Sequence, residues 1–221
     1  MRFCTRLVVV LFGLLGLGGA AAAHAQAGVY LGYQATQLRG ITCFEPAPVP
    51  CSSTGGKVNP AGYQAGAYYD FHNFGPMRFG VDLRGGTMHS NKSATSSAGG
   101  KDTTVLNNVL LGVRGSFHTP LTWLSPYVQV SAGYARSNAT LPFGESQMNP
   151  PQPRLEDNYI MYEGFAGLSI HIFPMLDLRP IEVGIGNMNR VGNSGAVVDG
   201  PSSVGILSIG GSVVFHMPSS R

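Results

Sequence analysis

The sequence is short of charge, of cysteine and of long apolar runs. Its 221 residues include 14 Lys and Arg and 11 Asp and Glu, 11% charged in all, under half of the roughly 25% of an ordinary soluble domain. That scarcity excludes a highly charged disordered chain. The formal net charge of +3 gives no bulk attraction for nucleic acid. Beyond residue 27 no apolar stretch approaches the ~18 residues that a membrane-crossing helix needs, which excludes a helical membrane protein. What the chain has instead is glycine, 31 residues, about twice the usual ~7% share. Glycine spread so evenly excludes a long coiled coil.

The first 27 residues form a separate object. Arg2 and Arg6 precede an apolar stretch from Leu7 to Leu17, and small residues follow, ending Ala23-His24-Ala25-Gln26-Ala27. This order is that of a secretory signal peptide cleaved after Ala25 or Ala27. Without it, 12 basic side chains face 11 acidic ones. Export also suits the cysteines: Cys4 leaves with the leader, and Cys43 and Cys51 flank a seven-residue, three-proline segment. Two such cysteines in an oxidising compartment read as a loop disulfide.

The rest alternates. Met77, Phe79, Val81 and Leu83 fall on one face, and Arg78, Gly80, Asp82 and Arg84 on the other; period two is a strand signal. The pattern recurs around Val29–Thr36, Tyr63–Phe71, Asn108–Ser116, Val128–Tyr134, Ala166–Ile172 and Leu207–Phe215. An eighth segment, Leu176–Gly186, alternates less cleanly, because Pro180 cannot donate to a ladder; a bulge is expected there. Segments of about ten residues suit a tilted strand crossing a bilayer, ~9–11 residues, better than a soluble strand of ~5–6. The gaps alternate as well. Those at 72–76, 118–125 and 173–175 are short, and those at 37–60, 89–102, 136–158 and 187–203 are long and polar. Short turns at one end and long loops at the other predict an all-β, eight-stranded antiparallel up-and-down transmembrane β-barrel with periplasmic turns and extracellular loops. The barrel is expected over 28–217, followed by a short periplasmic tail at 218–221.

At these residues the chain resembles the small outer-membrane β-barrels, the class that includes the transmembrane domain of outer-membrane protein A and porin-family proteins. The most specific element is the last strand. In that class the assembly machinery reads a polar residue, a glycine, a hydrophobic residue and an aromatic at set spacing, places held here by Ser208, Gly210, Val213 and Phe215. The resemblance implies an outer-membrane location, lipid neighbours, a barrel-assembly machinery during biogenesis, and loops open to an extracellular partner.

In such a barrel the polar face turns inward. Asp70, Arg78, Asp82, Arg84, Arg114, Glu163, Arg179 and Glu182 are then expected to form a lumen charge network, with Asp70 opposite Arg78 across the first short turn. An eight-stranded interior is just wide enough for side chains to fill, and an unpaired desolvated charge costs several kcal/mol. Opposite charges should therefore pair and plug the lumen. A soluble ligand-binding barrel would reverse the two faces. Aromatic girdles are expected from Phe71, Phe117, Phe173 and Phe215 at the turn end and from Tyr134, Tyr159 and Tyr162 at the other.

Catalytic motifs are missing: no Gly-x-Ser-x-Gly, His-Glu-x-x-His, Cys-x-x-Cys or phosphate loop occurs. His89, Ser90 and Asp102 could form a rim hydrolytic cluster but read better as solvated loop residues, as do Glu156 and Asp157. The sequence thus predicts a monomeric, non-catalytic barrel, without cofactor or metal, serving structural support or partner binding. A small-solute pore or transporter is the alternative, and an outer-membrane hydrolase or acyltransferase comes third.

Overall fold

A computed structural model describes residues 26–41, 56–90, 104–137, 157–191 and 203–216. Cys43 and Cys51, Asp102 and Glu156, the expected leader as far as Ala25 and the expected tail at 218–221 lie outside these residues. Among the described residues every regular element is a strand: β1 (Gln26–Ile41), β2 (Gly56–Val58), β3 (Ala61–Phe74), β4 (Met77–Ser90), β5 (Thr104–Phe117), β6 (Leu124–Ser137), β7 (Asp157–Phe173), β8 (Leu176–Arg190) and β9 (Ser203–His216). Neighbours pair antiparallel in the order β1-β3-β4-β5-β6-β7-β8-β9, and β9 returns to β1 to close the cylinder. Closure leaves no unpaired edge, the condition for strands in lipid. The three-residue β2 extends the β1–β3 pairing: Val58 faces Leu38, and Thr36 N–H donates to Pro60 O at 2.8 Å. Pro60, which has no N–H, breaks what is otherwise one strand.

Strand length differs from the sequence expectation. The eight barrel strands run 14 to 17 residues, longer than a bilayer requires. Correspondingly the turns are tighter. The β3–β4 hairpin closes on Gly75 and Pro76 alone, with Phe74 facing Met77. Gly75 takes a φ of 60°, a left-handed value that glycine adopts without a Cβ clash. The β7–β8 hairpin turns on Pro174 and Met175. Gln26 and Ala27 are already paired in β1, facing Asp70 and Tyr69.

The alternation sorts the side chains inside out. Val29, Leu31, Val81, Leu83, Val109, Leu111, Val113, Val130 and Ile185 are exposed on the outer wall, whereas Asp82, Arg84, Arg114 and Glu182 are buried within. Phe71, Phe173 and Phe215 lie exposed at the turn end, and Tyr134 and Tyr162 on the outer wall toward the other end. Tyr159 departs from the girdle expectation. It is fully buried, because it shares the inward face of β7 with Met161 and Glu163. Asp157, expected in solvent, is also buried at the start of that strand.

At Pro180 the expected bulge is present, and it decides where two charges go. Between Arg179 and Glu182 on β8, two residues oppose the single Gly211 on β9. Three positions apart, Arg179 and Glu182 would face opposite sides of a regular strand. With Pro180 and Ile181 both turned outward, both charges face the lumen.

Candidate functional site in the barrel lumen

The lumen is filled in two layers. Nearer the loop end is an apolar plug that the sequence does not announce: Leu38, Val58, Met88, Leu106, Leu110, Met161, Phe165, Met188, Val204 and Ile206 are buried together. Thr36 Oγ1 donates to Met88 Sδ at 3.1 Å. Periodicity misses this layer because inward Tyr159 and Met161 alternate with outward Ile160 and Tyr162, so hydropathy shows no contrast between the faces.

Below it lies an ionic layer centred on Arg84. Its guanidinium forms a two-pronged pair with Glu182, Nη1 to Oε1 at 2.7 Å and Nη2 to Oε2 at 3.2 Å. Nε reaches Asp82 Oδ1 at 3.3 Å, and Nη2 also donates to Gln129 Oε1 at 3.1 Å. Asp82 Oδ1 accepts further from Tyr30 OH and from Gln129 Nε2, both at 2.9 Å. Tyr127 OH donates to Glu182 Oε2, and Ser208 Oγ donates to Glu163 Oε1. The Arg84 guanidinium also stands 3.9 Å from the centroid of the Phe165 ring. β4 and β8 are diametrically opposed in the strand order, so the Arg84–Glu182 pair spans the whole lumen.

Arg114 and Arg179 are held differently from the pairing expected of them. Arg179 is fully buried, its guanidinium makes no hydrogen bond among the described residues, and it lies 4.7 to 5.3 Å from the ring centroids of Tyr30, Tyr127 and Tyr68. Arg114 lies over Tyr68 and Tyr127 at 4.2 and 4.7 Å. Ring faces stabilise a desolvated guanidinium electrostatically. Each of these tyrosines directly faces a glycine on the neighbouring strand: Tyr68 faces Gly28, Tyr30 faces Gly66 and Tyr127 faces Gly167. A glycine partner leaves room for the ring to lie flat across the strand.

Asp70 and Arg78 are not opposed. The tighter turn and an extra residue at Phe71 set Asp70 against Gly80, and Arg78 against Asn73. Arg78 instead sits half-buried at the turn-end mouth, where it bonds Asn73 Oδ1 at 3.1 Å, Gln26 Oε1, and His118 Nε2 at 3.3 Å. Asp70 is buried above it. Of the loop cluster, His89 is exposed and contacts Thr87 Oγ1 at 3.3 Å.

Beneath the ionic layer a cavity of about 900 Å³ lies at the turn end, lined by Asp70, Arg114, Ser125, His171, Asp177 and His216 among others. The last three converge, with one ligand-capable atom from each within 4.8 Å of the others. They are 6 and 39 residues apart in sequence, with no motif to flag them; the only hint is that His171 shares the inward face of β7 with Ser169.

No protein-family model matches the chain, and no curated protein matches it. Solved structures do. Neisserial surface protein A (NspA) has a TM-score of 0.53 at 15% identity, over 86% of this chain and 96% of that one. Ail, the attachment invasion locus protein of Yersinia pestis, solved in complex with the heparin analogue sucrose octasulfate, has a TM-score of 0.48 at 11% identity, over 87% of this chain and 99% of that one. The likeness to NspA, together with a closed eight-stranded wall that is apolar outside and charged within, shows that this chain has the fold of the small outer-membrane β-barrels.

Proposed function

We propose that the protein is a monomeric, non-catalytic barrel of the bacterial outer membrane whose body is a closed support and whose loops meet a partner outside the cell. One observation carries this reading: the Arg84–Glu182 pair crosses the full width of the lumen, with the apolar layer around Met88, Met161 and Met188 stacked on its loop side. A solute would have to break a buried ion pair and part a packed core. Breaking such a pair costs roughly 3–5 kcal/mol, which argues against the pore reading. Lipids of the outer membrane would meet the outer wall. The barrel-assembly machinery would read β9, where Val213 and Phe215 stand exposed outward and Ser208 is fixed inside on Glu163.

Single-channel recording on protein refolded from inclusion bodies into a planar bilayer tests the proposal. No steady conductance is expected. A large and stable open level would replace the plugged barrel with a pore.

A further inference from the structure

At the turn end, three side chains that take no part in the plug are gathered from three successive strands. His171 and Asp177 face each other across the β7–β8 ladder, and His216 closes β9 one step beyond the Leu176–Phe215 pair. Asp177 Oδ1 lies 2.7 Å from His171 Nδ1 and 2.9 Å from His216 Nε2. The two imidazole rings stand edge to face with their centroids 6.2 Å apart.

We propose that His171, Asp177 and His216 form a binding site for a zinc-class divalent cation at the turn-end mouth of the barrel. Two imidazole nitrogens and a carboxylate oxygen are the donor set that borderline dications accept, and three protein ligands leave a position open for water or another ligand. With neutral imidazoles the cluster carries one negative charge, which a dication offsets. Asp82 and Glu182 are already paired with Arg84 in the layer above. Asp177, by contrast, has only these two imidazoles as its hydrogen-bonded partners among the described residues.

The site is held in advance of any ion. His171 N–H donates to Trp123 O at 2.8 Å, and His216 N–H donates to Met175 O at 3.1 Å, which ties both histidines to neighbouring turns. Ser125 Oγ lies 3.2 Å from His171 Nε2 and so aims Nδ1 at the cluster, the outer contact that a metal-binding histidine needs. Metal–ligand bonds of ~2.0–2.1 Å at tetrahedral angles separate ligand atoms by about 3.3 Å. The Asp177–histidine distances would therefore open by about half an ångström, and the two histidine nitrogens, within 4.8 Å of each other, would close toward the same spacing by rotation of the two imidazoles. On binding, each imidazole proton moves to the ring nitrogen that does not bind the metal: from Nδ1 to Nε2 in His171, where Ser125 Oγ can accept it, and from Nε2 to Nδ1 in His216; no net proton is released. The open position faces the 900 Å³ cavity.

The test uses the protein refolded in detergent without a histidine tag. Calorimetric titration with Zn²⁺ is expected to show one site per chain. His171→Gln, Asp177→Asn and His216→Gln should each weaken binding at least about tenfold, and Ser125→Ala about tenfold through the misaimed ring. His89→Gln, at the far end of the barrel, should leave binding unchanged. With Cu²⁺ as probe, electron paramagnetic resonance should show two coordinating nitrogens in the parent and one in His171→Gln. Heat-modifiable migration on gels checks that each variant has folded. Should His216→Gln fail that check, His171→Gln, whose side chain is already 35% exposed, carries the comparison. The proposal is overturned if Zn²⁺ gives no saturable site, or if the two-nitrogen signal survives His171→Gln. It is equally overturned if the three variants only lower barrel stability with Zn²⁺ binding unchanged, the behaviour of a hydrogen-bonded clamp.

Discussion

The ring of Tyr127 lies across Gly167, its direct partner on β7, so closely that a Cβ at Gly167 would fall 2.7 Å from the ring's Cζ and hydroxyl oxygen. The same ring lies beside Arg114 and Arg179 and donates to Glu182. Gly167→Ala must therefore push Tyr127 off two guanidiniums and a carboxylate at once. Overpacking of this kind costs about 1–3 kcal/mol. We expect Gly167→Ala to lower the urea midpoint of barrel unfolding in lipid vesicles, followed by the fluorescence of Trp123, the one tryptophan of the chain. Gly164→Ala, where an added Cβ meets nothing closer than 3.9 Å, should leave the midpoint nearly unchanged. Equal midpoints for the two variants would mean that Tyr127 is not packed against β7.

Arg84 and Glu182 test how the ionic layer is stabilised. Removing one charge strands the other in a desolvated lumen, and Glu182→Gln is expected to cost about 3–5 kcal/mol. Replacing both, as Arg84→Met with Glu182→Leu, removes the stranded charge and should recover most of that loss. The recovery is limited, since Asp82 also loses its Arg84 contact. Paired unfolding curves in vesicles measure both. A double variant as unstable as Glu182→Gln would show that the pair itself, not the stranded charge, sets the stability.

Val81 and Leu83 against Asp82 and Arg84 show what was legible in advance: where one face is apolar and the other charged, period two gives both strand and orientation. The legible half of the lumen was the charged half. The apolar layer escaped because β7 carries Tyr, Ile, Met and Tyr in succession at 159–162, and a strand apolar on both faces does not say which one is inside. Asp70 opposite Arg78 failed for a reason no periodicity holds, a two-residue turn and one extra residue at Phe71. Arg114 and Arg179 are buried inside the barrel, and their ring partners are set by the cross-strand register of three tyrosines with three glycines, which alternation does not carry. The His171–Asp177–His216 cluster depends in the same way on register at the ends of three strands.

Pro180 offers the sharpest test of how β8 delivers its charges. It occupies the one position that has no counterpart on either neighbour: Leu168 to Ile170 on β7 and Ser212 to Gly210 on β9 span two steps where β8 takes three. Deleting Pro180 therefore leaves Arg179, Ile181 and Glu182 in regular alternation, with both charges still inward and both ladders continuous. We expect this deletion to fold and to keep its heat-modifiable migration, an uncommon outcome for a residue removed from the middle of a strand. Deleting Val183, three positions on, has the opposite effect. To keep Gly184 and Met188 in place, the strand must give up its bulge, which turns Ile181 inward and Glu182 toward lipid. Arg84 then loses its partner, at about 3–5 kcal/mol, and a carboxylate meets the acyl chains at further cost. That variant should lack the heat-modifiable band altogether. If the two deletions behave alike, the bulge is not what brings Arg179 and Glu182 to the same side of the wall.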